Sequence, residues 1–350
     1  MIKLITFFGL LTISSSVYAT NALELPLTEW LSLSGQQQSE LSQLRQATFA
    51  LDFKEGTLCT GTYISENGHL ITAEHCFRSC LYTALKEKGL SSEDISYSTT
   101  YHLLSASGQI TSYKARTYEN LIEAKKVSSS APSIQTFDYD VSLLKGLRCQ
   151  AKINGEDVEL RFLGGGAGRL FPFFAEKTET RPALSADLIP AWQKFVSSGY
   201  GPGGDFGVFQ VNKSNTPCFE MSSKDAFKSE KIKTLSQTCR DSNRNQRFGQ
   251  FAFFTSGYEK TAELATYRPL LSVSPFKHAT IESDNCSSGS SVIGEDDSIK
   301  GILTQSMSVH DKTVQPPVEL SFSSFIDSSL IMKVLVNKWG VPKFECPRSN

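Results

Sequence analysis

The 350-residue chain lacks an excess of charge of either sign: 35 Lys+Arg stand against 36 Asp+Glu, a formal net charge of -1. With no basic run, it carries no electrostatic footprint for nucleic acid. It also lacks the low hydrophobicity of a disordered chain, since 39% of its residues are hydrophobic. Beyond the N-terminus no stretch reaches the roughly 20 apolar residues of a membrane-spanning helix. Internal repeats and long low-complexity segments are missing. Paired short C-x-x-C knuckles are missing too, which makes zinc the lesser reading of the cysteines.

What is present leans toward short strands and turns. Gly (24), Pro (13) and Phe (23) are spread along the chain with many Ser and Thr, which predicts an all-β class. The chain opens Met1-Ile2-Lys3, continues with an apolar run from Leu4 to Ile13, and reaches small residues before Ala19. That is the pattern of a secretory signal, too short to cross about 30 Å of hydrocarbon, with cleavage expected near Ala19. The expected location is secreted or periplasmic. In that oxidising setting the eight cysteines, Cys59, Cys76, Cys80, Cys149, Cys218, Cys239, Cys286 and Cys346, are most simply four disulfides.

Phe49, Leu51 and Phe53 alternate as in a strand, and Cys59 to Ile64 is separated from His69 to Thr72 by Asn67-Gly68, a hairpin signal. Leu81 to Lys88 and Tyr118 to Lys126 have helical spacing, so the region between about residues 80 and 150 reads as a partly helical insertion. Strand signals return at Val141 to Leu144, Val158 to Leu163 and Phe206 to Val211. Gly164 to Gly168 lacks the ending of a phosphate loop and reads as a glycine turn. Ile326, Leu330, Ile331, Val334, Leu335 and Trp339 share one face of a C-terminal helix that Gly340 and Pro342 close.

Three separated patches carry chemistry. Thr72-Ala73-Glu74-His75-Cys76, after Cys59-Thr60-Gly61-Thr62-Tyr63-Ile64, resembles the histidine region of the trypsin-like (chymotrypsin-fold) serine proteases. The resemblance makes His75 the general base and pairs Cys59 with Cys76 behind it. Cys286-Ser287-Ser288-Gly289-Ser290-Ser291-Val292-Ile293, followed by Lys300-Gly301-Ile302-Leu303, looks like the family's serine loop with Ser288 as nucleophile. A serine hydroxyl needs an imidazole to remove its proton, and a sharp turn at Gly289 lets backbone N–H groups face an oxyanion. Reading Asp284-Asn285-Cys286 as the family's D-S-C would instead make Ser290 the nucleophile; Ser288 ranks first because Ser291 rather than Gly follows Ser290. The acid that orients the imidazole matches at two sites, Asp205-Phe206-Gly207-Val208-Phe209 and Asp140-Val141-Ser142-Leu143-Leu144. Asp205 is preferred, because its strand leads into Thr216-Pro217-Cys218-Phe219 and leaves a second barrel's early strands room before Ser288. Asp140 stays as the alternative.

The resemblance implies two packed six-stranded antiparallel β-barrels with the insertion and a C-terminal helix against the second barrel. Residues 1–19 are then a signal peptide, 20–46 an N-terminal segment or propeptide, and 47–345 the protease domain, with its first barrel at about 47–220 and its second at about 221–345. It implies a serine endopeptidase working through an acyl-enzyme, with the backbone N–H groups of Cys286 and Ser288 as oxyanion donors. Protein or peptide substrates, no cofactor, no metal, no nucleic acid, no membrane span and a monomeric state follow. The sequence departs from the family where Cys286 replaces a glycine and Ser287 an aspartate. Those departures open a rival, a catalytically impaired protease-like binding protein, and a latent enzyme awaiting removal of Thr20 to Gln46 is a third reading. His278, Glu282 and Asp284 lie where a substrate pocket would be, without an assigned specificity.

Overall fold

The computed structural model describes residues 23–26, 42, 44–53, 57–89, 98–105, 107–115, 123, 133–138, 141–170, 204–224, 232–237, 246–251, 254–255, 276–279, 286–294, 296–311 and 318–347. Strands dominate. After β1 (Leu23–Pro26) come β2 (Thr48–Phe53), β3 (Thr57–Tyr63), β4 (His69–Thr72), β5 (Ser98–Leu104), β6 (Ile110–Ala115), β7 (Ser133–Asp138), β8 (Arg148–Ile153), β9 (Glu156–Leu170) and β10 (Phe206–Val211). The second half holds β11 (Ile232–Gln237), β12 (Gln246–Phe251), β13 (Phe254–Thr255), β14 (Phe276–Ala279), β15 (Ser291–Ile293), β16 (Ile299–Asp311) and β17 (Val318–Asp327).

The first sheet closes on itself. Its strands run β10-β4-β3-β2-β8-β9, and β9 pairs again with β10, which seals a six-stranded antiparallel barrel. Closure leaves no open edge on these six strands. The β8 pattern shows why this sequence suits it: Cys149, Ala151 and Ile153 are buried while Arg148, Gln150 and Lys152 face water, the two-residue period of a half-buried strand. The predicted Asn67-Gly68 hairpin is there, with Gly68 at φ +76 and the Ile64 N–H donating to the His69 carbonyl at 2.8 Å. A Cβ at Gly68 would meet the Val211 carbonyl at 2.5 Å. The barrel is filled by aromatic rings, with Phe209 edge-on to Phe77 at 4.7 Å and to Phe162 at 5.2 Å.

The second sheet has the order β1-β12-β11-β15-β16-β17-β14-β13. β1 lies ahead of the first barrel's strands in the chain and adds an antiparallel edge strand through β12.

Within the proposed insertion, α1 (Arg78–Glu87) takes up the predicted helix, buries Leu81, Ala84 and Leu85, and is tied to β8 by Cys80–Cys149. β5, β6 and β7 extend the first sheet through the β7–β9 pairing. The helix expected over Tyr118 to Lys126 lies outside the described residues, apart from Glu123.

Three sequence expectations change. Val141–Leu144 is a helical turn, α2, rather than a strand. Four residues are too few to fix a period, and Gly146 at φ +81 with the Leu147 N–H donating to the Leu144 carbonyl closes a turn there. Gly164 to Gly168 is not a turn but the middle of β9. A Cβ at Gly164 would sit 2.7 Å from Trp339 Cγ, and one at Gly165 would sit 2.5 Å from the Phe206 carbonyl, so these glycines admit a ring and a neighbouring strand. The C-terminal helix α3 (Ser328–Val334) starts after Ile326, which ends in β17, and is capped by Asp327 Oδ1 accepting from the Ser329 N–H at 2.8 Å. It continues as a wider turn, Leu335–Trp339, that Gly340 ends at φ +61. Trp339 reaches the first barrel, edge-on to Phe162 at 5.3 Å and donating from Nε1 to the Gly165 carbonyl at 2.6 Å.

Candidate active site

His75 sits in a 3-10 turn, Glu74–Cys76, directly after β4. The turn is held from below by Cys59–Cys76, which bonds it to β3. Beside it Thr72 Oγ1 donates to the Thr60 carbonyl at 2.8 Å. Glu74 points away from solvent and is fully buried, a position a carboxylate tolerates only when paired. Arg78 supplies the pair, donating from Nε to Glu74 Oε1 at 2.8 Å and from Nη2 to Oε2. Burial pushes the nearby Tyr82 phenol up, with Arg78 opposing that rise and Glu74 adding to it.

Asp205 precedes β10, which pairs with β4 across Gly207↔Thr72 and Val208↔Ile71. That register brings the carboxylate under the histidine. Asp205 Oδ2 lies 2.7 Å from His75 Nδ1, and Oδ1 accepts from the His75 backbone N–H at 3.0 Å. Two contacts fix both the ring and its backbone. The Asp205 side chain is 2% exposed and that of His75 19%, so the pair opens to solvent on the imidazole side. Gly207 makes the approach possible: a Cβ there would meet Phe77 Cζ at 2.0 Å, two residues beyond His75.

The serine loop docks on the same barrel. Thr60 donates from its N–H to the Ser288 carbonyl at 2.9 Å and from Oγ1 to the Cys286 carbonyl at 3.0 Å. The Ser288 carbonyl is 4.0 Å from Cys76 Sγ, next in sequence to His75. Gly289 has φ +87, and a Cβ on it would meet the Thr60 carbonyl at 2.2 Å and the Ala73 nitrogen at 2.9 Å. The turn is braced from the other side by the Gly289 N–H donating to the Leu303 carbonyl at 2.7 Å. Ser288 is partly exposed. Ser290 is 0% exposed, and its Oγ donates to the Ser287 carbonyl at 2.6 Å, so its hydroxyl is spent inside the loop.

Seven of the eight cysteines are disulfide-bonded among the described residues: Cys59–Cys76, Cys80–Cys149, Cys218–Cys346, and Cys286. Potential ligand atoms of Cys59, His75 and Cys76 lie within 4.8 Å of one another, but both sulfurs are committed to their disulfide and offer a metal no thiolate.

Residues 33–152 match the Trypsin family model. The match takes in His75 and both cysteines of its disulfide and ends before Asp205 and Ser288. No curated protein matches the chain. Among solved structures the chain is similar to a serine endoprotease from Yersinia pestis, with 11% identity and a TM-score of 0.39, covering 86% of this chain and 66% of that one. It is similar also to an inactive form of the Rv3671c protein from M. tuberculosis H37Rv, with 8% identity and a TM-score of 0.39, covering 86% of this chain and 89% of that one. An HtrA-type protease, AlgW with tripeptide, is 11% identical at a TM-score of 0.38, covering 87% of this chain and 64% of that chain.

The structure brings His75 to Asp205 and sets the Ser288 backbone on the β3 strand behind His75. Asp140, Glu282 and Asp284 lie outside the described residues. His278 is in β14, opposite Ser324 of β17 and Thr255 of β13. Sequence reasoning passed over Thr60, which clamps two carbonyls of the serine loop across 226 residues of chain to Cys286. Nothing local marks it beyond its place between Cys59 and Gly61. Glu74 was also legible only as the variable residue of its motif, although it is buried and paired.

Proposed function

We propose that the protein is an exported serine endopeptidase, with Ser288 as nucleophile, His75 as general base and Asp205 as the acid that orients the imidazole. The observation that carries this reading is the buried carboxylate held 2.7 Å from His75 Nδ1, which directs the ring's other nitrogen to the proton-transfer role. Ser288 Oγ attacks a peptide carbonyl as His75 takes its proton. His75 then returns the proton to the leaving amine, and water releases the acyl group by the reverse path. The backbone N–H groups of Ser288 and Cys286 hold the oxyanion. The peptidase unit spans about residues 47–345, behind a signal at 1–19 and a segment at 20–46. Substrates are proteins or peptides, the enzyme acts as a monomer, and its disulfides suit an extracellular or periplasmic site.

The test is a fluorophosphonate probe with the labelled residue located by mass spectrometry, run beside hydrolysis of a peptide library. Label on Ser288, its loss in His75→Ala, and a fall of about 10⁴-fold in kcat for Asp205→Asn are expected. Hydrolysis that survives His75→Ala in a folded variant defeats the reading. A mature protein that takes no label and cleaves nothing favours the binding-protein rival.

A further inference from the structure

Among the described residues four that are not glycine have positive φ: Asn154, Asn215, Asp297 and Cys286. Three of them are Asn or Asp, the side chains that tolerate the left-handed region. Cys286, at φ +79, is the exception. It also stands at the position where the proposed oxyanion donor lies, two residues before Ser288. A cysteine gains nothing from its side chain in that conformation, so something else must hold it there.

Two contacts do. The Cys286 carbonyl accepts from Thr60 Oγ1 at 3.0 Å, and the Cys286 sulfur is committed to a disulfide. Relaxing φ to a negative value would swing Cβ, and with it the bonded sulfur, while the far side of the turn stays fixed by the Ser288 and Gly289 backbone bonds to Thr60 and Leu303. We infer that the disulfide at Cys286 is a positioning device: it holds in the left-handed region, without glycine, the backbone whose N–H faces the oxyanion. The inference deepens the peptidase reading and rests on it. Cys286 touches the reaction through its backbone alone, and its side chain acts by fixing that backbone.

Cys286→Gly, Cys286→Ala and Cys286→Ser separate the two things the cysteine supplies. All three remove the bond, but glycine adopts positive φ freely and the other two do not. Steady-state hydrolysis should show Cys286→Gly within about threefold of wild type in kcat, while Cys286→Ala and Cys286→Ser lose about 10²- to 10³-fold in kcat with KM little changed, the loss expected for one oxyanion donor. A bond that merely stabilises the fold would lower the three variants together, with kcat following the thermal midpoint. Equal kcat for the glycine and alanine variants, at either level, therefore overturns the inference while hydrolysis that still depends on His75 leaves the peptidase reading intact. If alanine and serine fail to fold, the glycine variant decides: folded with kcat retained it supports the inference, and folded with kcat lost, or unfolded, it overturns it. A wild-type protein without hydrolysis, or with hydrolysis indifferent to His75→Ala, removes both.

Discussion

Single residues in this chain act through the company the fold gives them. His69 shows it at the start of β4, the end of the strand away from His75: its Nδ1 lies 2.6 Å from Ser65 Oγ, its ring packs at a tilt on Phe344 at 4.6 Å, and burial lowers its pKa from 6.5. Below pH 6.5 the unfolded chain therefore takes up a proton at this site that the folded chain refuses. Stability contributed by the neutral ring is present above that pH and is lost as pH falls from 6.5 toward the lower folded value. The thermal midpoint of the wild type is expected to drop between neutral pH and about pH 5 more than that of His69→Gln. Equal drops would show that His69 does not carry the effect. At this scale the sequence was informative where motif words are long. The string around His75 singled it out because two cysteines and a hairpin accompany it, whereas Thr60 and Glu74 owe their importance to partners that no local pattern names.

Elements were legible where one chain segment decides its own shape. The Asn67-Gly68 hairpin and the helix at Arg78–Glu87 follow from turn chemistry and spacing, and both are present. The glycines at 164 to 168 read wrongly because their reason lies elsewhere: Trp339, from the far end of the chain, fills the space a side chain on Gly164 would need. Replacing that ring tests the account. Trp339→Ala should cost about 3–5 kcal/mol in urea unfolding, as large-to-small core substitutions of this kind do. Trp339→Phe should cost less, retaining the ring contact with Phe162 and losing the bond to the Gly165 carbonyl, worth about 1 kcal/mol. Equal losses for the two variants would mean that the ring is not what holds β9 to the C-terminal turn.

For the whole molecule the long covalent links matter most. Cys218–Cys346 joins residues 128 apart, tying the segment after β10 to the C-terminal tail, where Phe344 is buried and Lys343 donates to Glu220 at 2.7 Å. Cys346→Ser is expected to lower stability by about 2–5 kcal/mol and to speed amide exchange over Val341 to Phe344 before the barrel strands exchange. Unchanged exchange in that tail would locate its anchorage in packing alone. The cysteine count foretold such links but not their partners, since pairing is set by three-dimensional neighbours. Strand order has a further consequence. β10 is both the seam of the first barrel and the carrier of Asp205 at its start, 130 residues after His75. A nascent polypeptide that has not yet docked this last stave has an unsealed barrel and a His75 ring that the Asp205 carboxylate does not yet hold, so sealing the barrel and fixing the imidazole are one folding event.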